Sequence, residues 1–163
     1  MKTIVFFNNK EGIGKTTLVY HISYMLAELG HKILSVDLDP QAHLTSLFLS
    51  ADKFEDIYGN ESNRTTIIDA IKPLDTGLGD IAPATVHQIT SNIGLIAGDL
   101  DLSLFEDKLT TGWEQCMNHD ETAFRIISSF HRIINQAGTS FGSDINLVVV
   151  GPNFGAINRA ALI

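Results

Sequence analysis

Between an apolar segment and a helical pattern runs Asn9-Lys10-Glu11-Gly12-Ile13-Gly14-Lys15-Thr16-Thr17, a stretch whose residue types suit phosphate. Gly12 and Gly14 let the backbone wrap closely around an anion. Lys15 can reach β- and γ-phosphate oxygens, and the Thr16 hydroxyl is a hard oxygen donor for Mg²⁺. A helix starting here adds unpaired N–H groups and the positive end of its dipole. The expected phosphate-contacting set is Glu11, Gly12, Ile13, Gly14, Lys15, Thr16 and Thr17. The pattern GxxxxGK[ST] breaks only at its first glycine, replaced by Asn9. Asparagine tolerates the left-handed conformation better than most residues, so the loop is expected to survive the change. The alternative is a chance glycine-rich turn, and the strand–loop–helix context speaks against it.

Other chemistry-bearing residues are fewer. Asp37 and Asp39 bracket Leu38 just before Pro40-Gln41, at the end of an apolar run; a plain strand-end turn is the competing reading. The histidines at 21, 31, 43, 87, 119 and 131 have no metal-ligand spacing, so structural or surface roles are expected. Asp99, Asp101, Glu106 and Asp107 lack the order and glycine of a calcium loop and read as a solvated helix face. Cys116 has no inferable His–acid partners, and Trp113 reads as core or interface.

These groups need a scaffold. Residues 2–7 read as a short buried strand, followed by a helix from Gly14 with Leu18, Val19, Ile22, Met25, Leu26 and Leu29 as its apolar positions, ending at Gly30. Ile33 to Val36 form a second strand, which makes the first 40 residues a β–loop–α–β unit. Short helices are expected over 44–49 and 66–71, the latter closed by Pro73, with loop or short helix over 74–91. Ile93 to Ala97 and Ile145 to Val150 are further strands. Residues 120–137 read as one amphipathic helix with Phe124, Ile127, Phe130, Ile134 and Ala137 inward, and Gly151-Pro152-Asn153 as the start of another. The expected fold class is α/β, a parallel sheet of at least four strands flanked by helices, in one domain over residues 1–163.

Composition bounds the function. Of 163 residues 44% are hydrophobic and 18% charged, which excludes disorder, and no apolar run approaches the ~20 residues of a membrane span. The N-terminal apolar run is too short for a signal-peptide core and the single cysteine fits a reducing compartment, so a cytoplasmic location is expected. A net charge of −8, from 11 Lys+Arg against 19 Asp+Glu, argues against a nucleic-acid surface spread over the whole domain.

The second lysine in the loop, Lys10, separates subclasses of P-loop. Lys10 to Thr16 resembles the deviant Walker A signature, KGGxGKT, of the ParA/MinD family of ATPases. Val36-Asp37-Leu38-Asp39-Pro40-Gln41 resembles the family's Walker A′ segment, and the likeness is nearest to ParA-type plasmid and chromosome partition proteins. Leu95 to Leu100, Val150 to Asn153 and Asn158 to Leu162 resemble later family segments. The resemblance implies a nucleotide-sandwich homodimer that binds ATP or ADP with Mg²⁺ and hydrolyses ATP slowly in DNA partitioning. A ParB-type centromere-binding protein would be the partner. Lys10 would reach the partner's nucleotide, Lys15 would hold the β- and γ-phosphates of its own protomer, and Asp39 would position the attacking water; these three are the expected catalytic residues. Thr16 would ligate Mg²⁺, Asp37 would hold a water of its shell, and Thr17 would lie nearer the α-phosphate.

Three departures bear on activity. Glu11 replaces the first glycine of KGG, placing a negative charge near phosphate. The Walker B aspartate position aligns with Val149, which cannot bind a magnesium-held water, and Asp144 lies at the opposite end of that strand, roughly 17 Å away. Family members also run well past the end of this chain, with more strands, an adenine-contacting segment and a basic DNA-binding surface, so one flank of the P-loop strand is expected to be open. Two alternatives stand beside the ATPase: a catalytically silent, nucleotide-dependent dimerisation module, and another P-loop NTPase or ligase. A GTPase is disfavoured because no Asn-Lys-x-Asp occurs.

Overall fold

The computed structural model describes residues 1–59 and 64–163. β1 (Lys2–Phe6) leads through the glycine-rich loop to α1 (Lys15–Glu28), which returns the chain to β2 (Ile33–Leu38). Three short helices follow, α2 (His43–Phe48), α3 (Ala51–Tyr58) and α4 (Ile67–Asp75), before β3 (His87–Gln88) and β4 (Ile93–Ile96). The rest comprises α5 (Leu102–Cys116), α6 (Glu121–Ile127), α7 (Ser129–Phe141), β5 (Ile145–Val150) and α8 (Ala156–Ala161). The sheet order is β1-β5-β2-β4-β3, with the first four strands parallel and β3 antiparallel to β4.

β2 and β5 are continuous apolar runs because the sheet is covered on both faces. Strand periodicity sends Val36, Leu38, Val148 and Val150 into one core with Ile71, Leu109, Phe130, Ile134 and Ile157. It sends Ile33, Leu95, Leu147 and Val149 into the other, beneath Val19 of α1, Leu44 and Phe48 of α2 and Ile57 of α3. The expected α/β class and mostly parallel sheet are therefore present. The carboxyl ends of β1, β2, β4 and β5 converge at one edge of the layers, where open α/β sheets bind ligands.

Local expectations needed correction in several places. α1 fully buries only Val19 and Ser23, while Leu18 and Met25 are each 52% exposed and Leu29 69%. Pro73 does not end its helix; α4 continues to Asp75 and closes in a turn where Leu78 N–H donates to the Pro73 carbonyl. The proposed 120–137 helix is two helices hinged at Ser128, and Phe124 is 49% exposed rather than inward. The last helix begins at Ala156, not at Gly151. Asn9 does not use the left-handed conformation; in this loop only Gly12 and Gly14 have positive φ, at 69° and 84°.

Among the described residues β1 pairs with β5 alone and its other edge is open, as the resemblance implied. Ile4 is 45% exposed on that edge. Among the described residues no helix is long and apolar enough to cross a membrane.

Candidate functional site

The glycine-rich loop enters α1 through Gly14, whose left-handed φ of 84° and ψ of 15° let the chain turn directly into the helix. Gly14 offers no capping side chain, so the first-turn amides face the loop concavity unpaired within the helix. Asn8 Oδ1 accepts the Lys10 amide at 2.9 Å and fixes the loop entrance. Lys15 and Thr16 are half-buried, whereas Glu11, Gly12, Ile13, Gly14 and Thr17 are exposed along the rim. Lys10 is exposed too. All eight residues from Lys10 to Thr17 line one cleft of about 560 Å³.

The opposite wall comes from the end of β2 and from α2. Asp39, Gln41, His43, Ser46 and Leu47 line it, with Pro152 beyond β5. His43, Ser46 and Leu47 stand at i, i+3 and i+4, the spacing of one helix face. Sequence reasoning assigned His43 a bland role and passed over Ser46 and Leu47; their spacing directly after Asp-Pro-Gln was the available signal. Leu44, Thr45 and Phe48 occupy the buried face of the same helix.

Lys15 Nζ donates to the Val150 carbonyl. Burial lowers the ammonium pKa, and the negative field of Asp39 and Asp37 opposes that shift. Asp39 is 5% exposed, and its Oδ1 accepts the Gln41 amide at 3.1 Å in a tight Asx turn. The structure thus brings Lys10, Lys15, Thr16 and Asp39 to one cleft.

Asp37 is placed differently. It is fully buried and does not line the cleft. Its Oδ1 accepts the Asp39 amide at 3.2 Å, and its Oδ2 accepts both the amide and the hydroxyl of Thr45 at 2.8 Å. Burial pushes the carboxyl up to about 6, although the Thr45 and Asp39 donors favour the ionised form. Val149, the register partner of Asp37, is fully buried with Leu147 and Val19 and has no polar atom to offer a cation. Among the oxygen donors lining the cleft, the Thr16 hydroxyl and the Asp39 carboxylate would suit magnesium beside the P-loop, whereas Asp37 stands outside the lining with one oxygen committed to Thr45.

The acidic group at 99–107 is not one solvated face. Asp99 is 2% exposed, accepts the Thr66 hydroxyl at 2.8 Å and lies 3.6 Å from Arg64, which also meets Asp101 at 3.1 Å. Asp144, at the far end of β5, accepts the Lys32 amide at 2.8 Å. Among the described residues no three His, Cys, Asp or Glu side chains converge as a metal site.

The sequence profile described as AAA domain matches residues 1–163. The chain belongs to this family. Within it the fold is that of the ParA/MinD-like P-loop ATPases. The sporulation initiation inhibitor protein Soj of Bacillus subtilis is 34% identical over 97 residues, covering 58% of this chain and 38% of Soj. A crystal structure of a Corynebacterium diphtheriae protein superposes with a TM-score of 0.91 at 31% identity, over 99% of this chain and 55% of that one. A plasmid partition protein from Borrelia burgdorferi shares the fold at a TM-score of 0.68 and 23% identity, over 99% of this chain and 61% of that one. So does the cobyrinic acid a,c-diamide synthase of Mycobacterium smegmatis, solved with an ATP analogue and magnesium, at 0.71 and 24%, over 99% and 56%. The chain spans little more than half the length of these solved relatives.

Proposed function

We propose that this chain forms the nucleotide-binding region of a ParA-type ATPase that takes Mg-ATP between two protomers and hydrolyses it slowly to drive DNA partitioning. The observation that carries the reading is the facing pair across the cleft. On one side, the Gly12/Gly14 loop presents open helix amides and Lys15; on the other, Asp39 is held by its own Asx turn. Phosphoryl transfer needs a positioned nucleophile and positive charge on the departing oxygens, and little covalent chemistry from the protein. Lys15 and the loop amides would neutralise phosphate charge, Thr16 would hold the cation, and Asp39 would orient water. Lys10, exposed at the rim, would meet a nucleotide held by a second copy. A ParB-type protein as partner follows from the family reading. Calorimetric titration with Mg-ATP tests the site: binding by the wild-type chain and its loss in Lys15→Ala are expected. Phosphate release that falls in both Lys10→Ala and Asp39→Ala supports turnover, and unchanged release in both defeats it.

A second reading has an observation of its own. Val149 is sealed in apolar core where the family pattern places a carboxylate, and Asp37 is committed to Thr45. A chain that binds Mg-ATP and dimerises without releasing phosphate would be a nucleotide-dependent dimerisation module.

A further inference from the structure

Thr45 lies outside the Asp-Pro-Gln segment, yet it joins three parts of the chain behind the cleft wall. Its amide and hydroxyl both donate to Asp37 Oδ2 at 2.8 Å, and its Oγ1 accepts the Gly98 amide at 2.9 Å. Thr45 is fully buried, so water cannot replace these bonds. The other oxygen of Asp37 holds the Asp39 amide. One carboxylate therefore grips both ends of the segment 39–45, which carries Asp39, Gln41 and His43 into the cleft wall. Beyond Thr45, the exposed face of α2 contributes Ser46 and Leu47 to the same wall.

The clamp continues behind the wall. Tyr58 of α3 donates to the Gly98 carbonyl at 2.5 Å, so both polar groups of the Gly98 backbone are engaged. A Cβ on Gly98 would lie 3.0 Å from Asp37 Cγ, so the carboxylate packs closely against the Gly98 backbone in space that a larger residue would contest. Within the gripped segment Ala42 holds a left-handed φ of 50°, a conformation that an L-residue keeps only when its surroundings impose it.

We infer that Thr45 is a positioning residue: bridging Asp37 to Gly98, it fixes the Asp39–Leu47 wall at the distance from the P-loop that the reaction requires. It is fully buried behind the cleft lining and acts through Asp37 and Asp39. The consequence for turnover rests on the ATPase reading above; the consequence for the wall does not.

Thr45→Val keeps the shape and removes the hydroxyl, while Thr45→Ser keeps the hydroxyl. Ile133→Val, in the opposite core, serves as a control for general loosening. Amide hydrogen exchange on the full chain without nucleotide is read first. Thr45→Val should speed exchange at Asp39, Gln41 to Leu47 and Gly98 at least tenfold; Thr45→Ser should stay near wild type, and Ile133→Val should leave this segment unchanged. Mg-ADP affinity, carried by the P-loop, should stay within about twofold. ATP turnover should fall at least tenfold in kcat with little change in KM, and Thr45→Ser should restore it. Unaltered exchange in folded Thr45→Val overturns the inference. So does full kcat in that variant, or a loss that serine fails to rescue. A wild-type chain that binds Mg-ATP without releasing phosphate defeats the ATPase reading instead, and the exchange data then decide on the clamp alone.

Discussion

At position 149 a single side chain separates the two functional readings. Val149 sits beside Asp37 in register and is fully enclosed by Leu147 and Val19. Val149→Asp would bury a carboxylate next to another carboxylate, with the Lys15 ammonium held at the neighbouring Val150 carbonyl. The expected cost is about 3 kcal/mol of folding stability, measured by denaturant titration. Mg²⁺-dependent phosphate release should rise in the fraction that folds; no rise would sink the alignment of Val149 with the Walker B aspartate. A second residue-scale prediction concerns Asp80, which Arg132 holds in a two-pronged pair with both contacts at 2.7 Å. That pairing pulls the Asp80 carboxyl down to about 2. Because the folded value lies below the unfolded one, the contribution is fully present above pH ~4 and is lost as pH falls through about 2. The pair is partly exposed, so screening holds it to about 1 kcal/mol or less. Asp80→Asn should lower the melting temperature slightly at pH 7, with the difference shrinking as pH falls toward 2.

Among the elements, α2 shows what local sequence could and could not reveal. Its place after Asp-Pro-Gln was legible, but its left-handed entry at Ala42 was not, because alanine gives no turn signal. Ala42→Gly removes the Cβ penalty of about 1–2 kcal/mol and adds glycine's greater unfolded-state entropy. The expected net is a rise in melting temperature of about 2 °C, read by calorimetry; a drop would mean that Ala42 is held without strain. Other elements split along the same line. β2 and β5 announce themselves by unbroken apolar runs. β3 is two residues long and gains its pairing only from β4, so no periodicity could expose it. The break at Ser128 carries no glycine or proline, and it shows only in the folded geometry, where Asp120 caps α6 and α7 begins anew. Lys10 to Thr17 and Asp39 were readable because their chemistry is local. Thr45 was not, since its value depends on Gly98, 53 residues away.

Taken whole, the sheet has two unequal edges, the two-residue β3 and the five-residue β1. β5, β2 and β4 are paired on both edges, and β3 closes one side. On the other side, among the described residues, the longer β1 offers unpaired backbone groups and a half-exposed Ile4. Such an edge templates pairing with another chain. Leu18 and Met25 of α1, with Leu29 just past its end, add further exposed apolar surface. This chain should therefore associate with rising concentration even without nucleotide, and Ile4→Lys should reduce that association in sedimentation velocity while leaving Mg-ATP affinity unchanged. Equal association in the variant would place the contact elsewhere. α1 itself is seated by an unusual pair of contacts. Ser23 donates to the Val19 carbonyl at 2.8 Å, and its hydroxyl meets that of Ser35 on β2 at 2.9 Å, with both serines fully buried. An all-hydrocarbon seam would let a helix roll by a fraction of a turn at little penalty, whereas two enclosed hydroxyls match at one angle only. The pair works as an azimuthal key: it sets the compass bearing of Lys15, two turns upstream, before any anion arrives.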